Sequence, residues 1–335
     1  MIDIDIDSAY RHLISLATSS PFSSAPNPTV TALIYGADGT LIADGVHNRK
    51  LSPDHAEVVA LKKAGSSAQG ATIVVSLEPC NHIGSTGACV DAIIDAGIAL
   101  VIYAVKDPNP KAAGGAQRLA ESGITVEFRE SNELTDMHRA WLHRITTSRP
   151  YFIWKIATSL DGRIAASDGS SQWISSEQSR ADVQLLRAQS DAILVGTGTV
   201  LADNPTLRPR IEGAASPLRI VMGESEIPAG LNIHDGKSPT LFVKSRSVDV
   251  LMGAIADLPL NQVLVEAGPT LGSALIAAGV IDEVIIYQAP ILFGAGKGWL
   301  EDIGITTIAD AAHLQLLEAR AIGPDFKFRY RVEKK

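Results

Sequence analysis

Ser76-Leu77-Glu78-Pro79-Cys80-Asn81-His82-Ile83-Gly84-Ser85-Thr86-Gly87-Ala88-Cys89 carries both cysteines of the chain, and His55-Ala56-Glu57 lies just upstream of it. One imidazole (His55) and two thiolates (Cys80, Cys89) give a tetrahedral Zn²⁺ three protein ligands and leave a fourth position for water. A carboxylate that is not a ligand, Glu57, can then move protons, so the pattern reads as a hydrolytic zinc site. His-x-Glu alone is common at the start of amphipathic helices, and Pro-Cys alone means little. Together, in 335 residues with no other cysteine, they outweigh a disulfide or two unrelated buried thiols. The opening Met1-Ile2-Asp3-Ile4-Asp5 is acidic where a signal peptide is basic, which suits a reducing cytoplasm with free thiolates.

The flanking segments read as an α/β layer. Residues 30–35 and 40–43 form a hairpin across Asp38-Gly39, and 72–76 and 100–104 are buried strands. Helices span 55–64, stopped by Gly65, and 88–96, stopped by Gly97. His55 and Glu57 then fall in the first turn of one helix, Cys80 in a loop and Cys89 in the first turn of the next. Helix N-termini favour negative charge and so suit thiolates.

Around Thr146-Thr147-Ser148-Arg149-Pro150 the pattern restarts, with 151–157 as a fresh strand. Strand-like runs follow at 192–195, 218–222, 240–243, 263–265, 283–288 and 326–332, with helices at 249–255 and 271–278. The expectation is two α/β domains, 1–147 and 148–335, the second not repeating the first. Charged residues make up 20% and apolar residues 46%, and no apolar run is long enough to cross a membrane. A net charge of -8, from 29 basic and 37 acidic residues, is a poor footprint for nucleic-acid phosphates. A small-molecule substrate is expected.

His55-Ala-Glu57, Leu77-Glu78-Pro79-Cys80-Asn81-His82 and Gly84-x-Thr86-x-x-Cys89 resemble the deaminase half of the bifunctional riboflavin-biosynthesis deaminase/reductases. Eight residues separate the cysteines, whereas nucleoside and tRNA deaminases usually close the site with Pro-Cys-x-x-Cys. Pro26-Asn27-Pro28, Gly45-Val46-His47 and Asp107-Pro108-Asn109-Pro110 agree with the resemblance. The second half is similar to the reductase domain of the same family in Lys155-Ile-Ala-Thr-Ser159-Leu-Asp161-Gly162-Arg163, Ser171-Gln-Trp173-Ile and Asp182-Val-Gln-Leu-Leu-Arg187-Ala. The match continues in Thr199-Val-Leu-Ala-Asp203-Asn-Pro205-x-Leu207, Arg210 and Val265-Glu266-Ala-Gly268-Pro-Thr270-Leu.

The resemblance implies a cytidine-deaminase-like α/β/α domain followed by a dihydrofolate-reductase-like α/β domain. It implies zinc-dependent deamination of a phosphorylated diaminopyrimidinone with Glu57 as proton shuttle, then NADPH-dependent reduction of the ribosyl chain to ribityl. Asn27, His47 and Asn109 become candidates for holding the base and ribose, although loop capping explains each equally well when taken alone. Cofactor contact is carried onto Ala157, Trp173, Thr199, Asp203 and the segment Gly268, Pro269, Thr270, Leu271, Gly272, Ser273, Ala274. That segment follows a buried strand and opens a helix whose N–H groups can cradle a pyrophosphate, without being a Gly-x-Gly-x-x-Gly fingerprint. Substrate contact is carried onto Lys155, Ser171, Arg187, Leu207, Arg210 and Glu266, where cations suit a sugar phosphate. Taken singly, the arginines read as surface groups and Trp173 as core. A homo-oligomer is also implied.

Three places depart from the family. His82-Ile83-Gly84-Ser85 lacks the usual cation, Gly87-Ala88 replaces Pro-Pro, and Gly223-Glu224 stands where relatives often show Asp-Ser. The first two bear on deaminase substrate affinity. The third places an acid where a 2′-phosphate would sit and so weakens the case for NADPH over NADH. Two rival readings keep some of these features: a reductase with a structural or weakly active zinc domain, and a nucleoside or tRNA deaminase fused to an unrelated domain.

Overall fold

The computed structural model describes residues 4–20, 22–48, 52–81, 87–110 and 112–333. The departure at 82–85 and the extreme N-terminus, residues 1–3, lie outside the described residues. The chain divides into two compact units, Met1–Arg149 and Pro150–Lys335.

The first unit runs α1 (Ile6–Ser19), β1 (Thr31–Tyr35), β2 (Leu41–Val46), α2 (Ala56–Ala64), β3 (Thr72–Val75), α3 (Cys89–Asp95), β4 (Leu100–Tyr103), α4 (Gly115–Glu121), β5 (Thr125–Phe128), α5 (Asn132–Met137) and α6 (Arg139–Thr147). Its sheet order is β2-β1-β3-β4-β5, with β1 antiparallel to both neighbours and β3, β4 and β5 parallel. Side chains alternate across the sheet, and both faces are covered, so β3 and β4 read as unbroken apolar runs. Ile34, Ile73, Val75 and Val101 pack with Ala60 of α2, Ile93 of α3 and Leu119 of α4. Leu33, Val74 and Ile102 pack with Leu13 of α1, Leu134 of α5 and Trp141 of α6. The result is the expected α/β/α layering, each such aliphatic side chain contributing about 1.5–3 kcal/mol by burial.

Two differences from the sequence reading bear on the placement of His55. The hairpin strand β2 reaches Val46, and α2 begins at Ala56, so His55 is its N-cap and only Glu57 is in the first turn. Both follow from Gly45. A Cβ there would lie 2.0 Å from the Ala56 carbonyl oxygen, so the missing side chain lets α2 start directly against β2.

The second unit runs β6 (Tyr151–Ser159), β7 (Arg163–Ala165), α7 (Glu177–Ala188), β8 (Ala192–Gly196), α8 (Thr197–Asp203), β9 (Leu218–Met222), β10 (Thr240–Val243), α9 (Val248–Ile255), β11 (Gln262–Val265), α10 (Pro269–Ala277), β12 (Glu283–Ala289), β13 (Lys297–Gly298), β14 (Leu314–Ile322) and β15 (Asp325–Val332). Its main sheet has the order β10-β9-β8-β11-β6-β12-β15-β14, parallel from β10 through β12 and antiparallel beyond. Phe152, Trp154, Leu194, Ile220 and Val265 pack against Leu251 and Ile255 of α9 and Leu275 of α10. The chain moves from β6 out to β8, β9 and β10, then returns to insert β11 and passes to β12 on the far side. Ligands of open α/β sheets bind outside the carboxyl ends of the strands where the order reverses in this way.

Candidate active sites

In the first unit, His55 caps α2, Cys89 is the first residue of α3, and Cys80 follows the end of β3. Their ligand atoms lie within 4.8 Å of one another. His55 Nδ1 is 3.0 Å from Cys89 Sγ and 3.4 Å from Cys80 Sγ, and the two sulfurs are 3.3 Å apart. Donors of a tetrahedral His-Cys-Cys zinc site stand about 3.5–3.8 Å apart, so a small expansion of this triangle accommodates the ion. The thiols are too close to ionise independently. The Cys89 S–H donates to Cys80, which pulls the Cys80 pKa down to about 4 and pushes Cys89 well up. A divalent cation lets both be thiolates and cancels their charge.

Glu57 is 3% exposed, and its Oε2 has no hydrogen-bond partner. Burial first, and then the charge of Cys80, push its carboxyl up to about 7. A buried, unpartnered carboxylate oxygen beside three ligand atoms fits a bound water at the fourth position.

Asn27 and His47 join this site. Asn27 Nδ2 donates to His47 Nε2 at 3.1 Å and His47 Nδ1 donates to the Asp54 carbonyl at 2.8 Å, which assigns the neutral Nδ1–H tautomer. The His47 and His55 rings meet edge to face with centroids 5.0 Å apart. Asn109 sits in the loop after β4, whose Ala112 carbonyl accepts from Asn81 N–H at 3.0 Å, next to Cys80. Ala112 also packs on Cys80 and Cys89. Two features escaped the sequence reading here. Glu78 accepts from Ala116 N–H at 3.1 Å and so ties the start of α4 to the zinc loop, and Gly115 has no room for a Cβ because Pro79 O would be 1.8 Å away.

In the second unit, Lys155 on β6, Arg187 on α7 and Glu266 after β11 interact with one another, and Ala157 lies two residues past Lys155 on the same face of β6. Arg187 clamps Glu266 through Nε–Oε1 at 2.6 Å and Nη2–Oε2 at 2.8 Å. Burial would raise the Glu266 carboxyl, but Arg187 and Lys155 outweigh it and hold it at about 2. Desolvation lowers Lys155, with Glu266 opposing. The charge of Arg187 is therefore committed inside the protein, whereas Arg210 is exposed and its backbone N–H donates to Gln184 Oε1. Leu207 is 1% exposed, so its side chain is core and only its backbone, at φ 53°, remains for a ligand. Ser171 is partly buried.

Trp173 is 66% exposed and lies under Arg180, 4.8 Å from ring centroid to guanidinium carbon. It is not core. Thr199 and Asp203 lie on α8 at the carboxyl end of β8, Thr199 half-buried and Asp203 exposed. Gly268 caps α10, with open space where a Cβ would be. The rest of 268–274 divides. Gly272 N–H already donates to Gly268 O at 3.1 Å, and a Cβ on Gly272 would be 1.9 Å from Trp154 Cζ2, so this glycine serves packing. Pro269 has no N–H, and Ser273 Oγ accepts from Glu301 N–H at 2.8 Å. Leu271 is half-buried and Ala274 exposed. The first-turn N–H groups of Thr270 and Leu271 have no intrahelical acceptor to reach, and they form the narrower cradle the helix offers. Glu301 Oε1 accepts from Thr270 Oγ1 at 2.7 Å.

Residues 150–328 match the model of the RibD C-terminal domain, and 5–105 match that of the cytidine and deoxycytidylate deaminase zinc-binding region. Riboflavin biosynthesis protein RibD of Mycobacterium tuberculosis is 41% identical over 326 residues, covering 96% of this chain and 95% of that protein. The chain belongs to the RibD family of riboflavin-biosynthesis proteins. The RibD of Escherichia coli is 38% identical, with 93% and 95% of the two chains covered. A solved RibD structure from Acinetobacter baumannii superimposes with a TM-score of 0.85 at 34% identity, covering 97% of this chain and 98% of that one. A Thermotoga maritima structure described as a diaminohydroxyphosphoribosylaminopyrimidine deaminase / 5-amino-6-(5-phosphoribosylamino)uracil reductase reaches the same TM-score at 28% identity, with 96% and 97% covered. As a RibD, the chain is a bifunctional deaminase and reductase: a zinc-binding deaminase domain precedes a dihydrofolate-reductase-like domain that uses a nucleotide cofactor.

Proposed function

We propose that residues 1–147 hydrolytically deaminate 2,5-diamino-6-ribosylamino-4(3H)-pyrimidinone 5′-phosphate and that residues 148–335 then reduce the ribosyl chain to ribityl with NADPH. The observation that carries this reading is the His55-Cys80-Cys89 triangle with the unpartnered Glu57 Oε2 beside it.

Zn²⁺ held by His55, Cys80 and Cys89 would supply a water acidic enough to attack at neutral pH. Glu57 would move two protons in turn, one from the attacking water to the ring nitrogen and one from the new C–OH to the leaving amine, so that a C–O bond forms as C–N breaks and ammonia departs. His47, fixed by Asp54, and Asn27 hold the base, and Asn109 holds the ribose. Bound in the reductase, NADPH would supply a hydride to C1 of the opened sugar imine, with the imine nitrogen protonated from solvent water. Thr270 and Leu271 N–H groups take the pyrophosphate, with Gly268 giving access. Trp173, Ala157, Thr199 and Asp203 contact the rest of the cofactor. Arg210 and Lys155 take the substrate phosphate, and the Arg187–Glu266 clamp, the Leu207 backbone and Ser171 shape the remainder of that pocket. Free thiolate ligands suit the cytoplasm, and a homo-oligomer is the assembly state to check by sedimentation.

The test is a coupled assay on purified protein that follows ammonia release and NADPH oxidation separately, with and without a zinc chelator. Ammonia release abolished by chelation, followed by NADPH loss in the untreated protein, is the expected result. NADPH loss only when pre-deaminated substrate is supplied would overturn the deaminase half.

A further inference from the structure

The loop from Asn204 to Arg210 carries Leu207 and Arg210, and its backbone is strained. Asn204 and Leu207 have φ of 42° and 53°, a left-handed conformation that a leucine adopts only at a cost, so surrounding groups must hold it. They do so along its whole length. At its start, Asn232 N–H donates to Asn204 Oδ1 and Asn232 Nδ2 donates to the Asn204 carbonyl, both at 2.7 Å. At its end, Arg210 N–H donates to Gln184 Oε1 of α7 at 2.9 Å. Between them the Arg208 carbonyl accepts from Arg187 Nη1 at 3.5 Å, and the Arg208 side chain pairs with Asp235, Nη1 to Oδ2 at 3.0 Å.

Asp235 is itself fixed by Arg219 of β9. The Arg219 side chain is 1% exposed, and its guanidinium donates to Asp235 Oδ1 at 3.0 Å, Thr240 Oγ1 at 3.0 Å, the Asn232 carbonyl at 3.2 Å and the Ser238 carbonyl at 2.8 Å. Asp235 thus divides its oxygens between a buried cation on the sheet and a partly buried one on the loop. A buried guanidinium needs a counter-charge, so folding alone asks for the first contact. The second ties the residues flanking Leu207 and Arg210 to the rigid strand β9.

We propose that Asp235, acting through Arg208, is a positioning residue of the reductase, holding Arg210 and the Leu207 backbone in the arrangement that takes the substrate's sugar phosphate. This rests on the reading of Arg210 and Leu207 given above. A carboxylate repels a phosphate, so Asp235 works through Arg208 and not by contact with the ligand.

Steady-state reduction of pre-deaminated substrate by the full chain, with substrate and NADPH each varied, tests this alongside calorimetric unfolding of the same samples. R208M leaves the Asp235–Arg219 pair in place and should raise the KM for the pyrimidine about tenfold, with kcat and the KM for NADPH within about twofold of wild type. R208K keeps the charge and should stay within about threefold. D235A should raise the same KM at least as far, and adding R208M to it should raise KM no further, because both changes break one link. D235A also strands the Arg219 charge and should lower the unfolding temperature, so R208M is the deciding variant. R210M removes the phosphate contact itself and should raise the substrate KM by about tenfold to a hundredfold. An unchanged substrate KM in R208M, or equal rises in both KM values, overturns the positioning role while R210M still raises KM. An unchanged KM in R210M overturns the substrate-contact reading instead, and this inference with it.

Discussion

Glu57 is held where a carboxylate is costly, with one oxygen buried and unpartnered, a placement that supports the proposed role of proton shuttle. E57Q keeps the shape and removes the base. Ammonia release should fall by roughly 10²–10⁴-fold, while zinc content by atomic absorption and reduction of pre-deaminated substrate stay as they were. His138 makes a different argument. It is buried behind Ser76, whose Oγ lies 3.1 Å from Nε2, and burial pulls its pKa from 6.5 down to about 4. The unfolded chain therefore binds more protons between these values, and stability rises with pH across the window. The contribution is complete above about pH 6.5 and is lost as pH falls toward about 4. Between about pH 7 and about pH 5 this one group removes about 2 kcal/mol, and the unfolding free energies of wild type and H138Q from urea titrations should converge by that amount.

Among the elements, α2 matters most, since it carries His55 and Glu57, and its position depends on the absence of a side chain at Gly45. G45A should push α2 off β2, cost at least about 1–3 kcal/mol, and reduce zinc occupancy more than it reduces NADPH binding. Gly272 does the same for α10. G272A drives a methyl into Trp154, so it should destabilise the second unit by a similar amount and alter tryptophan fluorescence, with zinc occupancy retained. The element that sequence reading missed most clearly is β14. Leu314–Ile322 is rich in Leu, Glu, Ala and Arg, residues that favour helix, and it is mostly exposed. It is a strand because it pairs along its length with β15, a non-local contact that overrides propensity.

For the whole molecule, two core clusters lie on the faces of the sheet of β1 to β5 with its two helical layers, and a third joins the larger sheet to α9 and α10. Among the described residues, the group of side chains that could hold zinc lies in the first unit. Because a ligand stabilises the state that binds it, chelation should lower the calorimetric transition of the first unit and leave that of the second in place. Ammonia release should disappear with the metal, and reduction of pre-deaminated substrate should persist.

The zinc ligands, the restart near Pro150 and nearly all buried strands were legible from residue types and spacing. Thiolate chemistry needs cysteines, and strands covered on both faces leave unbroken apolar runs. Proximity was not legible. Which cation is spent and which is available came from tertiary structure alone: Arg187 is committed to Glu266, while Arg210 is exposed. The same holds for Trp173, exposed where a tryptophan is usually core, and for Gly272, taken up by Trp154. Glu224 stood out in the sequence, but its ion-pair partner Arg246, 22 residues further on, did not, because only the parallel pairing of β9 with β10 brings the two strand ends together. A spacing along the chain fixes chemistry within one element, and the packing of elements fixes which charges meet.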